Sequence, residues 1–114
     1  MPLTSDQVEK FGPRRSGLYE VKVERRLIDY PGGRSAMVHY GTSDENAPSV
    51  REALYRDWLS PEVAENRLAW EEYGPLGWRF ALTSDVAAEH ARRMTQFVER
   101  FGRAPWGNGE AVGI

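Results

Sequence analysis

From Leu18 onward, apolar and polar residues alternate. Tyr19, Val21, Val23 and Leu27 share one parity, and Glu20, Lys22, Glu24 and Arg26 share the other. This pattern predicts a strand with one buried face. Asp29-Tyr30-Pro31-Gly32-Gly33 is a turn by composition, and Ala36 to Tyr40 reads as a returning strand, so residues 18–40 form a long hairpin. The period then changes. After a loop from Thr42 to Pro48, Ser49 caps a helix, and Glu52 three residues later completes a capping box. Val50, Leu54 and Trp58 fall along one stripe of that helix. Pro61 ends or restarts it, and Glu62 to Trp70 is helical in composition, with Val63, Leu68 and Trp70 available for packing. Gly74-Pro75-Leu76-Gly77 is a turn, and Trp78 to Leu82 alternates as a third strand. Ser84 caps the most regular helix. Its residues Ala87, Ala91, Met94, Val98 and Phe101, spaced four, three, four and three, make an apolar seam facing the sheet. Gly102 stands at the C-terminal cap position.

These elements predict a small α+β fold: a three-stranded, mainly antiparallel sheet, made of the long N-terminal hairpin plus a third strand and flanked by helices. A length of 114 residues fits one domain. We read residues 1–16 as a loose arm with at most one helical turn, 17–108 as the domain, and 109–114 as a tail without pattern. The four tryptophans, Trp58, Trp70, Trp78 and Trp106, are expected as core rather than as base-stacking platforms.

Composition narrows the function. Fifteen basic and 17 acidic residues give a net charge of −2, which removes any global steering of nucleic acid but leaves room for a local basic patch. Arg92, Arg93, Arg100 and Arg103 run down the last helix, and Arg14-Arg15 precede the first strand; of these, Arg14, Arg15, Arg92 and Arg93 are the candidate phosphate contacts. The absence of cysteine excludes disulfides, thiolate metal sites and cysteine nucleophiles. Residues Met1 to Gly12 contain no apolar run of the kind a signal peptide needs, and no stretch approaches the ~20 apolar residues that span a bilayer. The expectation is a cytoplasmic protein that does not enter the membrane.

Four short pieces carry a candidate chemistry: Gly17-Leu18-Tyr19, then His39-Tyr40-Gly41, then Arg51 with Tyr55 one helical turn on, then Pro105-Trp106-Gly107-Asn108. In this order they resemble the GIY-YIG endonuclease family, and the resemblance spans roughly residues 16–108. It implies a three-stranded sheet flanked by helices and a magnesium-dependent endonuclease or phosphodiesterase acting on DNA or RNA. In such a site a glutamate holds the metal, metal and arginine stabilise the charge on the attacked phosphate, and a tyrosine helps deprotonate water. Carried onto this sequence, the resemblance implies Tyr19, His39, Arg51, Tyr55 and Glu89 as the catalytic set, with Glu89 also the magnesium ligand and Gly41 and Asn108 in support. His39 stands where the family has tyrosine; a histidine accepts a proton near neutral pH. The family's glutamate position falls on Met94, which cannot ligate magnesium, and Glu89 is the nearest carboxylate upstream. Arg51 and Tyr55 lie on the edge of the Val50–Leu54–Trp58 stripe.

Two other readings stand beside this one. A domain of the same architecture that has lost catalysis would bind nucleic acid or protein, or a second copy of itself through apolar surface left on its small sheet. An unrelated small α+β protein would use the hairpin and last helix as an interaction surface. The position of Glu89 relative to Arg51 separates the first two readings, and the position of Tyr19 relative to Arg51 separates both from the third.

Overall fold

The computed structural model describes residues 1–109; apart from Gly109, the tail expected over 109–114 lies outside the described residues. The fold is α+β. Strand β1 (Gly17–Val23) is the centre of a three-stranded antiparallel sheet, flanked by β4 (Met37–Thr42) and β5 (Leu76–Leu82). Tyr19 stands opposite Gly41 and Phe80, Glu20 opposite Tyr40 and Arg79, and Val21 opposite His39 and Trp78. Paired residues share a face and neighbours along a strand do not. One face therefore carries Tyr19, Val21, His39, Trp78 and Phe80, and the other carries Glu20, Tyr40 and Arg79.

Each face has its own cover. Helix α2 (Val50–Leu54) continues into a π-helical turn, Tyr55–Leu59, and both lie over the Tyr19 face. The expected stripe holds: Val50, Leu54 and Trp58 are buried, and Ser49 accepts from the Glu52 N–H at 3.1 Å while its hydroxyl reaches the Glu52 carboxylate at 2.9 Å. Helix α4 (Val86–Phe101) lies against the Glu20 face. Between them, a 3₁₀ turn (Pro61–Val63) and α3 (Ala64–Glu71) lead to β5. A last 3₁₀ turn, Trp106–Asn108, closes the outer edge of β4.

Five expectations need correction, the last two on one helix. First, β1 is buried on both faces, because its polar parity includes Glu20, only 4% exposed, which α4 covers. Second, residues 18–40 are not one hairpin. β1 pairs with β4 across an irregularity at Val21/Lys22, and the intervening chain forms a separate two-stranded ribbon, β2 (Ile28–Tyr30) and β3 (Gly33–Ser35). Tyr30 anchors that ribbon: its ring meets Phe97 edge-on at 5.0 Å, and its hydroxyl donates to the Met37 carbonyl at 2.6 Å.

Third, residues 1–16 are not a loose arm. Leu3 and Val8 are buried, Met1 and Leu3 bond to the outer edge of β5, and α1 (Ser5–Phe11) is capped by Thr4. Fourth, the inward face of α4 is rotated from the predicted seam. Phe97 is its buried residue, Met94 and Phe101 are partly buried, and Ala87, Ala91 and Val98 are exposed. Half-buried His90 and Arg93 turn inward instead, because the sheet presents the Glu20 carboxylate and the β4 backbone there. The cap is Asp85 rather than Ser84, accepting from the Ala88 N–H at 3.2 Å, and Gly102 ends the helix at φ 86° as expected. Among the described residues no helix is long and apolar enough to cross a membrane.

Candidate functional site

The residues that the sequence assigned to one catalytic surface occupy three separate places. The first is sealed between the sheet and the π turn. The Tyr19 ring is fully buried, and its hydroxyl donates to Asp57 Oδ2 at 2.7 Å. Burial, and then the negative charge of Asp57, push the phenol well above its ordinary value. Arg56 clamps the same carboxylate through Nε at 2.8 Å and Nη2 at 3.2 Å, and it reaches both Asp44 oxygens through Nη1 at 2.9 Å. Gly41 is the glycine this arrangement requires, since a Cβ there would collide with the Tyr19 ring.

His39 faces the same interior, with its ring centroid 5.6 Å from Tyr19. Its Nδ1 accepts from Trp58 Nε1–H at 3.2 Å. That bond selects the neutral tautomer carrying its proton on Nε2. Desolvation lowers the pKa to about 4; Asp57 pulls it up in part, and His90 lowers it further. His39 is therefore neutral at physiological pH, and the lone pair a base would use is occupied by the indole. Sequence reasoning missed Asp57, Arg56 and Trp58 as partners of Tyr19 and His39. The one available signal was Trp58 on the buried stripe, which places Asp57 beside it.

The second place is a hollow of about 560 Å³ between α1, α2 and the loop before α2. Val8, Ala47 and Leu59 give it apolar walls, and Arg51 and Tyr55 line it. Arg51 Nε donates to the Gly12 carbonyl at 2.9 Å, and the Tyr55 ring is 52% exposed. The two keep the one-turn relationship read from the sequence. They lie on the outer side of α2, however, while the Tyr19 phenol lies beneath its π extension and does not open into this hollow.

The third place is across the sheet. Glu89 bonds Arg92 and Arg93, and Arg93 continues to Glu20 Oε2 at 2.8 Å. Because Glu20 alternates with Tyr19 along β1, Glu89 belongs to the opposite face from Tyr19 and His39. The hydrogen bonds from Arg92 and then Arg93 hold the Glu89 carboxyl down to about 2. Among the described residues no three His, Asp or Glu groups converge as a metal site. The donor set around Glu89 does not fit the magnesium ion that the resemblance implied, since its oxygens already accept from two guanidinium groups.

This face is open and cationic. Arg79, Arg92, Arg93 and Arg100 line a groove of about 470 Å³, together with Tyr40, Phe97 and Phe101. Buried Glu20 is the one carboxylate among its lining residues, bonded by Arg79 Nε at 2.5 Å and by Arg93. Arg14 and Arg15 are exposed elsewhere; Arg15 borders a separate hollow beside Leu82 and Thr83. Asn108 grips the backbone of Tyr40 from both sides. Its Oδ1 accepts from the Tyr40 N–H at 3.0 Å and its Nδ2 donates to the Tyr40 carbonyl at 2.9 Å, which fixes the outer edge of β4. No protein-family model, no curated protein and no solved structure matches the chain.

Proposed function

We propose that this small α+β protein uses its sheet and last helix to bind the phosphodiester backbone of nucleic acid without cutting it. The observation that carries this reading is the groove lined by Arg79, Arg92, Arg93 and Arg100. Among the described residues Arg79 uses only Nε on Glu20, so its terminal N–H groups are free to donate to phosphate oxygens. Tyr40 and Phe101 at the groove offer aromatic surface beside the cations, the combination that holds single strands. Gly41 makes room for Tyr19 and Asn108 braces the second strand, but the separation of Tyr19 from the Arg51 hollow favours a protein unrelated to the nuclease family. Cleavage is disfavoured by the same geometry. The carboxylate, the guanidinium and the phenol of the implied catalytic set lie apart, and Tyr19, His39 and Glu89 are each bonded within the fold.

Fluorescence anisotropy with a labelled single-stranded oligonucleotide tests the reading. Binding is expected to weaken with salt, and Arg92→Ala with Arg100→Ala is expected to lower the slope of log affinity against log salt by about 1.4, the loss of two phosphate contacts. No strand cleavage is expected with magnesium. Cleavage abolished by Arg51→Ala would restore the nuclease, and equal binding by the double variant would remove the groove from the interface.

A further inference from the structure

We infer that Asn108–Gly109 is a deamidation site which the fold holds shut, and that its conversion releases the outer edge of β4 irreversibly. The chemistry is intramolecular and consumes only water. Hydroxide takes the proton of the Gly109 backbone nitrogen, which then attacks Asn108 Cγ. The new N–Cγ bond closes a five-membered succinimide, the Cγ–Nδ2 bond breaks, and ammonia leaves with a proton from water. Water opens the ring at either carbonyl, leaving aspartate or isoaspartate at 108. The attack needs a following residue with no side chain in its way. The chain has three asparagines, Asn46, Asn66 and Asn108, and only Asn108 precedes glycine.

The fold requires this labile pair at both positions. Asn108 Oδ1 accepts from the Tyr40 N–H at 3.0 Å and Nδ2 donates to the Tyr40 carbonyl at 2.9 Å, so position 108 needs a donor and an acceptor on one side chain. Gly109 stands at φ 82° and ψ 177°, a region open essentially to glycine alone.

The same contacts keep the reaction from starting. The nucleophile is engaged, because the Gly109 N–H donates to the Trp106 carbonyl at 3.1 Å. The electrophile is held, because both ends of the Asn108 amide are bonded to Tyr40 and Cγ cannot swing toward the Gly109 nitrogen. The turn that carries them has anchors of its own. Trp106 N–H donates to the Tyr30 hydroxyl at 3.2 Å, and Trp106 Nε1–H donates to the Asp29 carbonyl at 2.9 Å. Gly107 lies so close on β4 that a Cβ there would collide with the Val38 carbonyl. Ring closure therefore waits for the Trp106–Asn108 turn to lift off the strand.

Conversion stops the turn from closing again. Aspartate puts an acceptor oxygen and a negative charge where Nδ2 donated, facing the Tyr40 carbonyl. Isoaspartate also lengthens the backbone by a methylene between 108 and 109. The Arg103 guanidinium, which reaches the Gly109 carbonyl at 3.4 Å, gives the new carboxylate a partner off the strand. Tyr40 borders the basic groove, so the converted protein loses a brace beside it, but the inference does not depend on what the groove binds.

Peptide mapping by mass spectrometry tests this on the full chain, incubated at mildly alkaline pH both folded and in urea. In urea, Asn108 is expected to convert ahead of Asn46 and Asn66, and about tenfold or more faster than in the folded protein. Trp106→Ala loosens the turn while leaving the reacting pair intact, and it is expected to raise the folded-state rate at Asn108 about threefold or more. Asn108→Asp reproduces one product and is expected to lower the melting temperature by about 4 °C or more. Equal rates at Asn108 in the folded and unfolded chain overturn the inference. So does a Trp106→Ala protein that converts no faster than the parent, or an Asn108→Asp protein that melts unchanged.

Discussion

The two faces of the central sheet share one strand and resolve opposite problems. On one face, Tyr19, His39 and Val21 are covered by a helix that delivers Trp58 and Asp57 to them, and among the described residues no fully buried side-chain polar atom is left without a partner. On the other, Glu20 and Tyr40 are covered by a helix that delivers arginine. Those arginines neutralise Glu20 and still leave cationic surface facing outward. Polar residues on a strand thus have two fates. Where each donor meets one acceptor, the result is closed and structural. Where donors outnumber acceptors, the surplus is available to a ligand.

The largest way to break this comparison is on the closed face. Trp58→Ala removes a fully buried indole and the hydrogen bond to His39, and it should cost about 3–5 kcal/mol of stability by chemical denaturation. Nucleic-acid affinity of the molecules that remain folded should be unchanged. Acid gives the next effect. His39 titrates near 4 in the folded protein against about 6.5 in the unfolded chain, so the unfolded state binds more protons between these values. The contribution of this histidine is complete above about pH 6.5 and is lost as pH falls toward 4, amounting to about 1–3 kcal/mol for a ring that keeps some solvent contact. His39→Gln should flatten stability over that window, while the loss tied to Glu89, whose folded pKa is about 2, should persist at lower pH.

The smallest effect sharpens the contrast best. Glu20→Gln retains the shape of a buried side chain and removes its charge. It should cost about 1–2 kcal/mol through weaker bonds to Arg79 and Arg93. It should also raise the affinity of the groove for an oligonucleotide. A variant that loses stability and gains binding is the signature expected where an internal carboxylate competes with an external phosphate for the same guanidinium groups.

The sequence made the regular elements legible and left the assembly of the site obscure. The strand at Tyr19–Val23, the stripe through Val50, Leu54 and Trp58, and the Ser49–Glu52 cap are local features that the fold keeps. Glu20 broke the reading of β1, because a buried carboxylate looks like an exposed one until the arginines that meet it are known, and those come from β5 and α4. The Arg93 contact with Glu20, together with His90 on the β4 backbone, turns α4 away from its expected apolar seam. The implied catalytic set separated for a related reason. Spacing placed Arg51 and Tyr55 together on α2, but which side of that helix turns to the sheet depends on Trp58 and Asp57, the residues that Tyr19 and His39 engage.

The π turn at Tyr55–Leu59, closed by the Ser60 N–H on the Tyr55 carbonyl at 2.8 Å, brings Trp58 into line with the residues before it. In an uninterrupted α-helix a residue eight places after Val50 stands about 80° round from it, at the margin of the stripe. One overwide turn winds that drift back, so the indole points the same way as Val50 and Leu54. The turn thus holds one residue more than ordinary winding needs. Dropping a single residue between Leu54 and Trp58 would set the indole seven places after Val50, about 20° from it, so the helix would keep its hold on the histidine it covers without the overwide turn.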